Sequence, residues 1–304
     1  MGEAIQPPKL ERSNREVIRD SIAGMSREQN SSVGFELLSE DGRLDEQAFT
    51  VAKGGTVKKE ELKRHQAVVR KLELEWSGLA KPEVRSFYAE QFRVKLDDLS
   101  QSEADAALLK VWRTRHEERS TGGSAEMAIT LTLYRQLAPR YLVVRAARYD
   151  DAMHGVDNLI IDRETGEVVA AFDDVADEPG GSREQKKRKR LQAGKRAGGT
   201  EVTYGVTFEQ GELVRRSFKH VPLFALQIAA GDISKVLLEM AGGVAEPGAA
   251  EVELYDRLVA SLEQQVDELL ALHPEAEIAE RLQRFSHLLP SFRREEAKPT
   301  YAAS

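Results

Sequence analysis

The stretch from Tyr141 to Asp177, YLVVRAARYDDAMHGVDNLIIDRETGEVVAAFDDVAD, constrains this chain more than any other. It reads as three consecutive strands. YLVVRAAR and EVVAAFDDV are dense in β-branched and apolar residues, and VDNLIID lies between them. Asp162-Arg163-Glu164-Thr165-Gly166 suits a hairpin loop between the second and third. The acids stand in unusual places. Asp157 opens an otherwise apolar strand, and Asp173 and Asp174 close another. Carboxylates in or beside buried strands are costly unless paired, hydrogen-bonded or bound to a cation.

The 304 residues suffice for one large or two modest domains. The absence of cysteine excludes disulfides, thiolate zinc sites and a cysteine nucleophile, and it fits a reducing cytoplasm. No apolar run approaches the ~18 residues of a membrane span, and MGEAIQPPKLERSNRE lacks the apolar core of a secretion signal. The net charge of −7 hides a strong local asymmetry. From Arg183 to Arg196 the chain carries eight Lys or Arg and one Glu.

Residues 1–34 read as a disordered N-terminal segment with one weak helical patch around Val17 to Ile22. FELLSEDGRLDEQAF suggests a turn at Asp41-Gly42. A helical region over 35–120 follows. Leu62, Val69, Leu72 and Trp76 form one stripe, Val84, Phe87, Tyr88 and Phe92 a second, and Leu108, Leu109, Val111 and Trp112 a third. Such aromatics read either as a partner platform or as ordinary helix packing, and packing is their usual behaviour. A flexible break at 120–124 marks a domain boundary, and a helix carrying Met127, Leu131, Tyr134 and Leu137 starts at about Ser124. After the three strands come a basic helix over 183–196, a hairpin of TEVTYGVTF and ELVRRSF, and a last strand in VPLFALQIA. A C-terminal helical region over 231–294 and a flexible tail over 295–304 complete the chain.

From Ser124 the order is helix, strand, strand, strand, helix, strand. With Glu126 on the first helix, Gly155-Val156-Asp157 at the second strand and Asp173-Asp174-Val175 at the third, it resembles the PD-(D/E)XK nuclease superfamily. The resemblance covers 124–230, about a third of the chain. It implies an α+β fold with a mixed central sheet, an αβββαβ restriction-endonuclease-like core, and helical regions on either side. It implies catalytic roles for Asp157, Asp173, Lys186 and Glu126, with Asp157, Asp173 and Asp174 holding Mg²⁺, or Mn²⁺ as the alternative. GVDNLIIDRETGEVVAAFDDV is also similar to uncharacterised bacterial proteins. The physical logic is direct. Phosphodiester hydrolysis needs a hard cation to offset phosphoryl charge and to acidify a water. Magnesium takes one or two carboxylates and completes its shell with waters and phosphate. Acids on neighbouring strands, about 4.8 Å apart, can meet one such ion.

The sequence departs from the pattern at Val175, where the superfamily carries lysine. Either the lysine has moved to the following helix, with Lys186, Lys187 or Lys189 as candidates, or the site binds without cutting. Lys187, Arg188, Lys189, Arg190, Lys195 and Arg196 are the expected nucleic-acid contacts, through counterion release at phosphates. The same helix can equally be a solvated face. Arg215, Arg216, Lys219 and His220 extend that surface if it exists, and His154 and Asp150-Asp151 are secondary candidates. The alternative function is a non-catalytic nucleic-acid-binding or helical scaffold protein, with homo-oligomers forming through the helical regions.

Overall fold

The expected strands form, and they pair in the order in which they occur. A computed structural model describes residues 14–50, 56–119, 121–138, 140–177, 199–209, 212–241 and 246–293. Strands β1 (Tyr141–Arg145), β2 (Asn158–Asp162) and β3 (Val168–Ala176) make an antiparallel meander. A later strand, which becomes β6 below, joins β3 in parallel and completes a four-stranded sheet. The fold is therefore α+β with a mixed central sheet. Helix α1 spans Asn14–Val33, α2 Lys59–Trp76, α3 Pro82–Gln91, α4 Gln101–Arg119, and α5 Thr121–Leu137. Helix α6, Arg148–His154, lies between β1 and β2. The hairpin β4 (Thr200–Glu209) and β5 (Glu212–Val221) forms its own two-stranded sheet, and β6 is Leu223–Ile228. Helices α7 (Ala230–Ala241), α8 (Ala249–Leu270) and α9 (Ala276–Phe292) follow. No helix of the described residues is long and apolar enough to cross a membrane.

Alternation along the strands divides the apolar side chains between two layers. Val143, Ile160, Phe172 and Phe224 face α1, α5, α7, α8 and α9. Leu142, Val144, Leu159, Ile161 and Ala171 face the β4–β5 hairpin and the segment around Leu37–Phe49. A small satellite core of Leu79, Leu108 and Leu109 joins α4 to the chain between α2 and α3.

Several boundaries differ from expectation, each for a packing reason. The N-terminal segment expected to be disordered is helical from Asn14, because Ile18, Ile22 and Met25 recur at helical spacing and are buried in the main core. The break expected at 120–124 becomes the start of α5, with Gly123 buried in it. Glycine costs a helix only about 1 kcal/mol, and the buried Ala125, Ala128 and Ile129 offset it. The strand expected to reach Arg148 stops at Arg145. The next turn is α6, closed by Gly155 at φ +64°. The C-terminal helices are not a separate unit, since Leu254, Leu258, Leu262, Leu282 and Phe285 belong to the same core as Phe172 and Phe224. Among the helical stripes, Leu62 and Val69 are buried, but Trp76 and Phe87 are 58% and 59% exposed. The basic helix expected over 183–196 lies outside the described residues.

Both outer strands of the main sheet are closed by a buried glutamine. The Gln29 amide of α1 donates to the Val143 carbonyl (2.9 Å) and accepts from its N–H (3.0 Å). Gln265 of α8 does the same to Ala225 of β6, with both contacts 2.9 Å. A primary amide reproduces the donor–acceptor pair of a neighbouring strand, so it satisfies edge groups that would otherwise be buried unpaired. Gln265→Leu, nearly isosteric, should therefore cost about 2–4 kcal/mol in urea unfolding, because two backbone groups lose their partners at once.

Candidate functional site

The acids that stood out in the sequence gather at one end of the main sheet. The register pairs Arg145 with Asn158 and Asn158 with Phe172. One step outward the pairing with β3 slips, and Asp157, just before β2, meets Phe172, the residue that Asn158 already opposes. The Asp157 N–H donates to the Phe172 carbonyl (2.7 Å), while on the β1 side the register holds and its own carbonyl accepts from the Ala146 N–H (2.8 Å). The Asp157 carboxylate then accepts the N–H of Asp174 (2.6 Å) and so caps the junction of β2 and β3.

Asp173 and Asp174, being consecutive in a strand, leave it on opposite faces. Asp174 shares the helical side with Phe172, and the Asn158 amide donates to its carboxylate. Thr130 of α5 donates in turn to the Asn158 side-chain oxygen (2.7 Å). Asp173 points to the hairpin side. The three expected metal ligands thus do not share one face. Among the described residues no three His, Cys, Asp or Glu side chains form a group that could hold a metal ion. Asp157 at the head of β2 and Asp173 in β3 remain the nearest expected ligands, and magnesium needs no more than two carboxylates from a protein. An all-oxygen donor pair suits that hard cation.

Glu126 of α5 reaches the same end. Its carboxylate accepts from Arg145 Nη2 (2.8 Å) and lies 3.6 Å from Arg43 Nη2. Arg43 Nη1 pairs with Asp151 of α6 at 3.1 Å and also donates to the Ala146 carbonyl. Arg148 donates to the Asp41 carboxylate (3.0 Å). Burial, and then the charges of Glu126, Asp151, Asp174 and Asp173, push the Asp157 carboxyl well above its ordinary range. Burial also raises Asp151, with Arg43 opposing it. Asp41 shows the reverse balance. Burial raises it, but Arg43, Arg145 and Arg148 together bring it down to about 2. The centre is therefore a carboxylate–guanidinium network in which Asp157 is crowded by like charge.

The secondary candidates separate. Asp150 is fully buried and accepts the N–H groups of Thr203 (2.7 Å) and Tyr204 (2.8 Å), which ties α6 to β4. Burial lifts it to about 7 despite those bonds. His154 faces the same hairpin, with Nε2 3.5 Å from Thr203 Oγ1, rather than the carboxylate centre. Arg215 lies over the Tyr204 ring and pairs with Glu61 (3.2 Å), and His220 pairs with Glu277 (3.0 Å). Neither is reserved for a phosphate surface; Arg216 and Lys219 are exposed. Lys186, Lys187, Arg188, Lys189, Arg190, Lys195 and Arg196 lie outside the described residues. Val175 is buried in β3.

Sequence reasoning missed Arg43, Arg145, Asn158 and Thr130. Arg145 and Asn158 were visible in principle, as a charge and an amide inside apolar strands. Arg43 carried no local signal, because its partners lie about a hundred residues away in the chain.

The fold and centre together define a mixed α+β protein with a charged cluster at one end of its sheet. No family model matches the chain, and neither a curated protein nor a solved structure shows significant similarity to it.

Proposed function

We propose that this chain is a divalent-metal-dependent, nuclease-like protein acting on nucleic-acid phosphodiesters, built on a core of the PD-(D/E)XK type. The order of α5, β1, β2, β3 and a parallel β6 supports that reading, with α6 and the β4–β5 hairpin as additions. One observation carries it. Asp157, at the head of β2, is tied by its carboxylate to the Asp174 N–H of β3, and burial together with Glu126, Asp151, Asp174 and Asp173 raises its proton affinity. A site that repels its own anions gains most from a bound cation.

In this proposal Asp157 and Asp173 hold Mg²⁺ or Mn²⁺, and Glu126 assists. Asn158 and Thr130 orient the Asp174 end of β3. Bound metal would offset phosphoryl charge and lower the pKa of a water. Lys186 is the proposed cation near the scissile phosphate, and the basic residues from Lys187 to Arg196 supply phosphate contacts. The lack of cysteine is consistent with a cytoplasmic setting.

Titration calorimetry with Mn²⁺ and Mg²⁺ tests the metal role. Wild type should bind, and the double variant Asp157→Ala, Asp173→Ala should bind at least about tenfold more weakly, one lost ligand being worth that much or more. Absence of binding, or binding unchanged in the double variant, removes the metal role. Cleavage of plasmid and single-stranded DNA tests the chemistry separately.

A second reading is a non-catalytic interaction protein. The buried Val175 in the lysine position favours binding without cutting, and the exposed Trp76 and Phe87 favour contacts through the helical region. Metal-independent nucleic-acid retention at low salt, or a dimer in light scattering lost in Trp76→Ala, would support it.

A further inference from the structure

Helix α2 docks on α6 and β4 around one histidine. Leu62 of α2 enters the hairpin-side core. One turn on, the His65 ring stacks on Tyr149 of α6 with centroids 4.0 Å apart and meets the Tyr204 ring of β4 edge-on at 5.8 Å. Its Nδ1 lies 2.9 Å from the Tyr204 hydroxyl. Tyr204 is fully buried, and burial raises its pKa, so the phenol keeps its proton. A buried hydroxyl proton needs an acceptor. A neutral imidazole protonated on Nε2 offers one at Nδ1, and an imidazolium offers none. Gln66, the next residue, lines an open cleft of about 330 Å³ together with Asp45, Glu46 and Arg148, so the position of α2 sets one wall of that cleft.

The surroundings resist a second proton on the ring. Burial is the largest effect. On α2 itself Glu61 favours the proton and Arg64 opposes it. From β5, Arg215 opposes it too, and this guanidinium lies 4.8 Å from the Tyr204 ring centroid and pairs with Glu61 at 3.2 Å. The balance sets His65 below its ordinary 6.5. Below 6.5 the unfolded ring takes a proton that the docked ring resists, so the stability it contributes is present above 6.5 and is lost as pH falls.

Two other carboxyls face the same rings. Asp150 acts on Tyr149 and Tyr204, and Glu46 on Tyr204. Burial raises both, so their contributions grow as pH falls and oppose a release in acid. His154, its ring 6.1 Å from Tyr149, is lowered by burial, with Glu201 of β4 opposing, and so shares the sense of His65.

We propose that His65 is a pH-sensitive catch, which holds α2 against α6 and β4 while uncharged and releases it, opening the cleft beside Gln66, when Nδ1 takes a proton. The stack on Tyr149 survives protonation. The change falls on the Tyr204 hydroxyl, which loses its acceptor, and on Arg215, which gains a like charge nearby.

Hydrogen exchange in the full chain at pH 7.5 and pH 5, corrected for the intrinsic effect of pH on exchange, tests the catch. Protection over residues 59–70 should fall at pH 5 by about fivefold relative to α8, the worth of one hydrogen bond. His65→Asn keeps an acceptor near the Nδ1 position and takes no proton, so its α2 protection should stay level. His154→Gln should keep the wild-type response. An unchanged ratio in wild type overturns the catch. So does a fall of the same size in His65→Asn, or a response lost in His154→Gln, since either places the sensor elsewhere. Should His65→Asn not fold, Tyr204→Phe decides. With no hydroxyl to strand, its response should shrink, and an undiminished response overturns the catch.

Discussion

A chain ending at residue 248 is expected not to fold. Helices α8 and α9 place Leu254, Tyr255, Leu258, Val259, Leu262, Val266, Ile278, Leu282, Phe285, Leu289 and Phe292 in the core that also buries Phe172 and Phe224. The Phe285 ring stacks on Phe224 with centroids 4.9 Å apart. Burying one such side chain is worth roughly 1.5–3 kcal/mol, so the group outweighs the 5–15 kcal/mol by which domains of this size are stable. The truncation also removes Gln265 and leaves the β6 edge open at Ala225. The shortened chain should show no cooperative urea transition and no near-ultraviolet circular dichroism. A cooperative melt from it would mean that the region before residue 248 folds without α8 and α9 and that their shared core is dispensable.

The second large effect concerns Asp157, where stability and metal affinity should move in opposite directions. The folded chain raises the Asp157 pKa, so it keeps a proton that the unfolded chain releases near the ordinary value of 3.8. The stability this group contributes is fully present below 3.8 and is lost as pH rises toward the folded value. Asp157→Asn keeps an oxygen for the Asp174 N–H but carries no charge into the neighbourhood of Glu126 and Asp151. Without metal, the variant should match wild type in urea unfolding near pH 4. At pH 8 it should be more stable by an amount of order 1 kcal/mol or more, one unit of pKa being worth about 1.4 kcal/mol. At pH 8 it should also bind Mn²⁺ at least about tenfold more weakly. A carboxylate serving only as a cap for β2 and β3 would give no gain at high pH. Loss of stability at pH 8 would therefore count against a strained functional acid.

The two expectations differ in how far the sequence could carry them. The strands at Tyr141–Arg145, Asn158–Asp162 and Val168–Ala176 were legible because short, dense β-branched and apolar runs with few breakers are written locally. The same holds for the hairpin, for β6 and for the amphipathic helices α2, α5, α8 and α9. The sequence also marked Asp157, Asp173 and Asp174 as anomalies, since a carboxylate in an apolar strand is costly wherever the strand lies. It marked α1 only as a weak helical patch around Val17 to Ile22, because the buried face holds few apolar residues and Gln29 looks like any surface amide until Val143 stands beside it. Nor could it tell that Asp174 faces Asn158 while Asp173 faces away, because the face taken depends on which strand side meets α5.

Local chemistry alone therefore determined the elements and the acids worth questioning. Tertiary structure alone decided that the C-terminal helices share the core, that Gln29 and Gln265 close the sheet, and that Arg43 meets Glu126 and Asp151. The reason is range. Periodicity and turn preference act over a few residues, whereas a buried charge is stabilised by whatever the whole fold brings within a few ångströms of it.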